Sequence, residues 1–390
     1  LKDRGKGGFL FDFTGVFCLY LQMMRKQIFK HIRAHYKTIK GYSSAGMESG
    51  KDESKIYLNA NENPYELPNL EGLNRYPEPQ PPALLEAYAQ NYGVDYTQIC
   101  MTRGADEALV ILTKVFCEPH KDQVLISSPT FGMYGVDAMA MPAGVVDVPL
   151  IKKDGRFNID KENIIKQASN IDNHIKIVFI CSPNNPTGDS FLHEDIIDIC
   201  EALEGHCIVA LDETYAEFSK AGSMVADLDS TPNLIILRTL SKSYALAGMR
   251  MGCILCGDED FITLVRNKVM DAYPLPRLSI ETAFHVLSPE IKAIAQDNIK
   301  KILAERERMK IELEKSDKVN HIYPSDANFL LIEMDKAKEF CDYLADNNVI
   351  IRDFSSQKGT ENCVRLSIGT IEENNQVLEL LNKYNNLPTK

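Results

Sequence analysis

The sequence predicts an α/β fold: a large domain with a mostly parallel central sheet flanked by helices, followed by a small α+β domain. Three observations carry this. Short, nearly continuous apolar runs recur between residues 122 and 256, as strands covered on both faces require. Amphipathic helical stretches alternate with them, the pattern of crossover connections. One long polar-amphipathic helix, over 289–315, then separates this block from a tail that reads strand, helix, strand, strand, helix. A length of 390 residues suits one large and one small domain.

The elements follow in order. Residues 9–24 form an apolar stretch interrupted by Asp12, after Lys2, Arg4 and Lys6. It is shorter than the roughly 18 to 20 apolar residues a membrane span needs, and it lacks a clear small-residue cleavage site. With Leu at position 1 and Met23 and Met24 at its end, the stretch is read as a start set upstream of the true one or as a targeting segment, and it is left out of the fold reading. Residues 83–92 and 105–116 read as helices, the second with Ala108, Leu109, Leu112, Val115 and Phe116 at helical spacing. Strands are expected at 122–127, 175–181, 207–212, 233–238 and 252–256, and helices at 134–141, 193–203 and 258–269. In the tail, ANFLLIE, VIIRD and CVRLSIG read as strands, and AKEFCDYLADNN and EENNQVLELLNKY as helices. The division expected is a non-native or disordered extension over 1–31, an arm and part of the small domain over 32–72, the large domain over 73–288, and the connecting helix with the small domain over 289–390.

Composition narrows the function classes. Hydrophobic residues at 44% and charged residues at 25% match an ordinary globular protein. A formal charge of −12 gives no whole-protein attraction for nucleic acid or an anionic membrane, so an anionic ligand needs a local cluster of arginines and backbone amides. Ten cysteines without the spacing of a disulfide framework point to a reducing cytoplasm. The one CxxC, Cys253 and Cys256, lies in a strand-like run where positions three apart face opposite ways. No grouping of the eight histidines supports a metal site.

Ligands of open α/β sheets bind outside the carboxyl ends of the strands. Here IKIVFIC runs into Ser-Pro-Asn-Asn-Pro-Thr-Gly at 182–188, and CIVALD ends on Asp212 with Glu213 and Tyr215 beside it. NLIILR runs into Thr239, Ser241 and Lys242, and the loop continues to Gly248 and Arg250. An acid, a phenol, an amide and a lysine thus converge on one crevice. Taken singly each has a bland reading, as a turn, a helix cap or a solvated lysine.

In this order, SPNNPTG, LDETY and TLSKSYALAGMR resemble the fold-type I aminotransferases, enzymes that use pyridoxal phosphate. Within them the chain is most similar to the histidinol-phosphate aminotransferase branch, through YSSAGMES (42–49), LNANENPY (58–65), NRYPEPQP (74–81), TRGADEAL (102–109), CEPHKD (117–122), SPTFGMY (128–134) and VIIRD (349–353). The resemblance covers roughly residues 32 to 385.

The resemblance implies transfer of an amino group between histidinol phosphate and 2-oxoglutarate, giving imidazole-acetol phosphate and glutamate, in histidine biosynthesis. Lys242 would hold the cofactor covalently and move the substrate proton. Asp212 would keep the pyridine nitrogen protonated, without which the ring is no electron sink. Tyr215 and Asn185 would bond the ring 3′-oxygen, and Phe131 would stack on the ring; family members often have Tyr there, so a hydroxyl contact would be missing. Backbone amides of Ala105 and Asp106 at a helix N-terminus, with Ser241 and Arg250, would hold the cofactor phosphate. Tyr76 would reach the same phosphate from a neighbouring subunit, which makes a homodimer the expected active unit. Arg352 and Arg365 would grip the substrate phosphate with help from Tyr42, Asn61 would face that pocket, and Arg365 would serve glutamate or 2-oxoglutarate in the other half-reaction. Two rivals share the cofactor: a decarboxylase of a phosphorylated amino acid, resembling the threonine-phosphate decarboxylases, and an aromatic amino acid aminotransferase. A binding or regulatory module on the same fold would normally carry a DNA-binding extension and often lack the lysine; here Lys242 is present and the N-terminal extension is short.

Overall fold

The computed structural model describes residues 27–41 and 55–387. The segments 1–24 and 42–49, with Tyr42, lie outside the described residues.

Two short helices, α1 (Gln27–His31) and α2 (Ala34–Thr38), open the described chain. Ile28, Ile32 and Tyr36 are buried in a core of the large sheet. Ile28 lies on the first helix, Tyr36 on the second and Ile32 at the bend between them. Residues 32–38 thus pack on the large sheet. Residues 55–76 are irregular and mostly exposed.

The chain continues through α3 (Pro82–Tyr92), β1 (Ile99–Thr102), α4 (Gly104–Phe116), β2 (Gln123–Ile126), α5 (Met133–Ala140) and β3 (Gly144–Asp147). A hairpin of β4 (Ile151–Lys153) and β5 (Arg156–Asn158) precedes α6 (Lys161–Ser169), β6 (Ile175–Cys181), α7 (His193–Ala202), β7 (Ile208–Asp212), β8 (Leu234–Thr239) and β9 (Gly252–Cys256). Helix α8 (Glu259–Leu264) runs on as a π-helical turn to Val269, and α9 (Arg277–Val286) and the long α10 (Pro289–Leu313) lead to the second sheet. There β10 (Val319–Ile322), β11 (Phe329–Met334), α11 (Ala337–Asp346), β12 (Arg352–Asp353), β13 (Cys363–Ser367) and α12 (Ile371–Asn385) complete the described fold.

The large sheet has the order β1-β9-β8-β7-β6-β2-β3. All its strands run parallel except β9, which is antiparallel to both β1 and β8. The reason lies in the connection: residues 240–251 hold only a short 3-10 turn, and a parallel return needs a crossover, usually a helix. Alternate side chains feed two cores. Val178, Ile180, Val209 and Leu211 enter one, while Ile177, Phe179, Ile208 and Ala210 enter the other, so the sheet is covered on both faces as the apolar runs predict. Cys253 and Cys256 divide between the same two cores.

The small sheet, β10-β11-β13-β12, is antiparallel throughout. Met309 and Leu313 of α10, Leu344 of α11 and Leu381 of α12 pack with Leu330, Ile332 and Val364 in its core. The strand read at 349–353 shrinks to Arg352–Asp353. β1, four residues long, carries no alternation and was not legible as a strand.

Candidate active site

The carboxyl ends of β6, β7 and β8 open on a cavity of about 570 Å³, closed on its other side by residues 352–365 of the small sheet. Of the residues expected to act, Ala105, Asp106, Phe131, Asn185, Asp212, Tyr215, Ser241, Lys242, Arg250, Arg352 and Arg365 all line it. Tyr76 and Asn61 do not line it; both are exposed, Tyr76 stacked on Tyr273 at 4.2 Å.

Asp212 is the last residue of β7 and is 3% exposed. Its Oδ1 accepts from the Thr214 amide at 3.0 Å and the Thr214 hydroxyl at 2.6 Å, and its Oδ2 from the Tyr134 hydroxyl at 2.8 Å. Burial pushes its pKa up, and these hydrogen bonds oppose the rise. Glu213, one residue on, points the other way into a buried ion pair with Arg238 at 2.7 Å. The neighbouring acid is thus structural.

Lys242 follows β8 and reaches into the cavity, its Nζ 5.9 Å from the Tyr215 ring centroid. The residue remains accessible from the cavity mouth. Partial burial of the ammonium first, and the Arg365 charge second, lower its pKa. Tyr215 is buried, its ring edge-on to Phe329 of β11 at 5.3 Å, and burial raises its pKa.

Asn185 is held by its neighbour. Asn184, buried, accepts from Thr130 Oγ1 at 2.9 Å and donates to the Pro129 carbonyl at 2.9 Å and to Thr187 Oγ1 at 3.0 Å. This pins the loop, and Asn185 Oδ1 accepts a hydrogen bond from Arg365 Nη1. The Arg365 guanidinium lies 5.3 Å from the Phe329 ring centroid and 5.5 Å from that of Phe354, cation–π geometry at both. Its buried Nε has no hydrogen-bond partner among the described residues. In the β12–β13 register Arg352 stands directly opposite Arg365.

At the other end, helix α4 points its first amides at the cavity. Gly104 opens it with φ +78°, and a Cβ there would lie 2.9 Å from Arg250 Nη2. Gly252 packs against Gly104 equally closely, its notional Cβ 2.8 Å from the Gly104 carbonyl carbon. Arg250 pairs with Asp106 Oδ2 at 2.9 Å, and Thr239 Oγ1 donates to Ser241 Oγ at 2.9 Å. Amides, a hydroxyl and a guanidinium around a helix N-terminus make an anion cradle.

The donor set fits pyridoxal phosphate: a cradle for its phosphate, a lysine for its aldehyde, and a buried carboxylate with an unused lone pair for its ring nitrogen. Gly104→Ala is expected to lose about tenfold in affinity for the cofactor. It should also cost about 1–2 kcal/mol in stability, because an L-residue at this φ is strained and Arg250 must move. Cofactor titration and thermal unfolding of the apoprotein check both.

Among the lining residues that escaped the sequence reading are Thr214, Phe354 and Gln357; Tyr134, which does not line the cavity but stands fully buried behind Asp212, escaped it too. Tyr134 was within reach, because it closes the SPTFGMY motif, but its partner lies 78 residues away.

The family model described as aminotransferase class I and II matches residues 53–381. Histidinol-phosphate aminotransferase 2 of Idiomarina loihiensis is 39% identical over 90% of this chain and 97% of its own. The histidinol-phosphate aminotransferase of Francisella philomiragia is 37% identical over 90% and 94%. Among solved structures, the histidinol-phosphate aminotransferase of Sinorhizobium meliloti in complex with pyridoxal-5'-phosphate superposes with a TM-score of 0.71, at 23% identity, covering 80% of this chain and 84% of that one.

Proposed function

The chain belongs to the class I and II aminotransferase family, and from that premise we propose that it transfers the amino group of histidinol phosphate to 2-oxoglutarate in histidine biosynthesis. The observation that carries the substrate is the arginine pair. Like charges directly opposite on adjacent strands repel, and Arg365 pays desolvation as well. A dianionic phosphate between Arg352 and Arg365 relieves both costs with charge-assisted hydrogen bonds.

Pyridoxal phosphate, when bound, supplies the electron sink for the charge left on the substrate Cα. This chain's residues do the rest. Ala105, Asp106, Ser241 and Arg250 would hold the cofactor phosphate, Phe131 would cover a ring face, and Asn185 and Tyr215 would donate to the ring 3′-oxygen. Because Asn185 Oδ1 also accepts from Arg365, one side chain ties the cofactor's position to the substrate's. Burial and the Arg365 charge both lower the pKa of Lys242, and its Nζ would take the proton from the substrate Cα.

Turnover of histidinol phosphate with 2-oxoglutarate, run beside phenylalanine as donor and beside carbon dioxide release from threonine phosphate, tests the assignment. Release of carbon dioxide without amino transfer would overturn it. Arg352→Ala is expected to weaken histidinol phosphate about 10- to 150-fold, the worth of about 1.5 to 3 kcal/mol for a hydrogen bond to a charged group, and to spare glutamate. Arg365→Ala should damage both half-reactions. Equal losses for both donors in Arg352→Ala would mean that Arg352 supports the fold or the dimer rather than the substrate.

The active unit is a homodimer in this reading. Tyr76 is 54% exposed, and Ile56, Leu58, Tyr65 and Leu67 of the same arm are more exposed still, an apolar surface that a second copy would cover while Tyr76 reaches its active site. The cytoplasm is the compartment proposed, since the nine cysteines of the described residues are free and buried. Among the described residues no helix is long and apolar enough to cross a membrane.

A further inference from the structure

We propose that Tyr134 is a positioning residue: its hydroxyl fixes Asp212 Oδ2 as the acceptor for the N–H of the cofactor's pyridinium ring. The inference rests on the reading of Asp212 given above. A carboxylate oxygen offers about two lone-pair sites. Both sites of Oδ1 are taken by the Thr214 amide and hydroxyl, whereas among the described residues Oδ2 accepts only from Tyr134. Oδ2 therefore keeps the one open acceptor position on a side chain that lines the cavity.

Tyr134 is built to hold that geometry. Its side chain is fully buried, and its ring stacks on Phe179 of β6 with centroids 5.0 Å apart and planes 5° apart. A ring so packed cannot swing its hydroxyl away. The edge of the same ring meets Phe131 at 5.6 Å and 85°, so one side chain braces both the carboxylate and the ring expected to cover the cofactor face. Tyr134 also supplies one of the donors that oppose the upward pull of burial on Asp212. The phenol itself stays protonated, because burial raises its pKa well above the ordinary tyrosine value.

Tyr134→Phe keeps the ring and removes the hydroxyl. Apoprotein of the wild type, Tyr134→Phe, Asp212→Ala and the double variant would be titrated with cofactor labelled with nitrogen-15 in the ring, and the ring-nitrogen chemical shift read by NMR. Near-ultraviolet circular dichroism verifies that each variant folds. For Tyr134→Phe we expect cofactor affinity and kcat each to fall about tenfold, as loss of a hydrogen bond to a charged group allows. The ring-nitrogen shift should move towards the unprotonated value, with KM for histidinol phosphate unchanged. In the Asp212→Ala background the same change should add less than about twofold, since residues that act through one another are non-additive. An unmoved nitrogen shift in Tyr134→Phe, or an equal loss with and without Asp212, would overturn the inference alone. An Asp212→Ala variant with wild-type affinity and nitrogen shift would overturn the site reading and this inference with it.

Discussion

Lys242→Ala is expected to abolish turnover, by about 10⁴-fold or more, because it removes the general base, which by itself contributes about 10²- to 10⁴-fold, together with the covalent hold on the cofactor. The variant should still bind pyridoxal phosphate, since the phosphate cradle, Phe131 and Asp212 remain. Three measurements separate these effects. Borohydride reduction followed by peptide mass spectrometry should place the cofactor on the Lys242 peptide of the wild type and nowhere in the variant. Equilibrium dialysis should give retained binding, and single-turnover kinetics with histidinol phosphate should give no amino transfer. A variant that turned over normally would remove the central assignment, and a variant that lost all binding would show that the cradle alone does not hold the cofactor.

Asp212→Ala should be the next most damaging change, at up to about 10³-fold in kcat. An opposite charge at close range raises the pKa of a cationic group by about 1–3 units. Without the carboxylate the pyridinium loses that support, and the rate falls with its protonated fraction. The sign in pH follows: the variant should recover activity as pH is lowered, because protons in solution then supply what Asp212 no longer secures. Asp212→Glu should lose less. The Ala variant also leaves the Tyr134 and Thr214 donors buried without a partner, each at a cost of about 1–3 kcal/mol, so thermal unfolding of the apoprotein should drop as well. Near-normal activity in a folded Asp212→Ala would reduce this residue to a structural acid like Glu213.

Glu213 and Asp212 also show why such assignments need coordinates. The two acids are adjacent at one strand end, and the pleat sends one to the cavity and the other to the buried Arg238. Alternation along a strand is a local rule; which face holds the cavity is not local.

By itself the sequence determined the α/β architecture and most of the cavity wall. Continuous apolar runs bounded by turn residues are local signals, and a ligand at the strand ends follows from them, so Asn185, Asp212, Tyr215, Ser241 and Lys242 were readable as one crevice. Only the tertiary structure decided the pairings across the chain. The direction of β9 was hidden because a fully buried run reads the same in both directions, and the helix-free connection decides it. Arg352 stands opposite Arg365 through a two-residue strand whose register no periodicity specifies. Phe354 and Phe329 flank the Arg365 guanidinium from separate segments of the small sheet, and Tyr134 meets Asp212 only because α5, packed against β2 and β3, extends its first turn over Phe179 of β6 to the end of β7. Apolar patterning fixes what each segment becomes, whereas partners distant in sequence are chosen by sheet order and side-chain packing, which no single segment encodes.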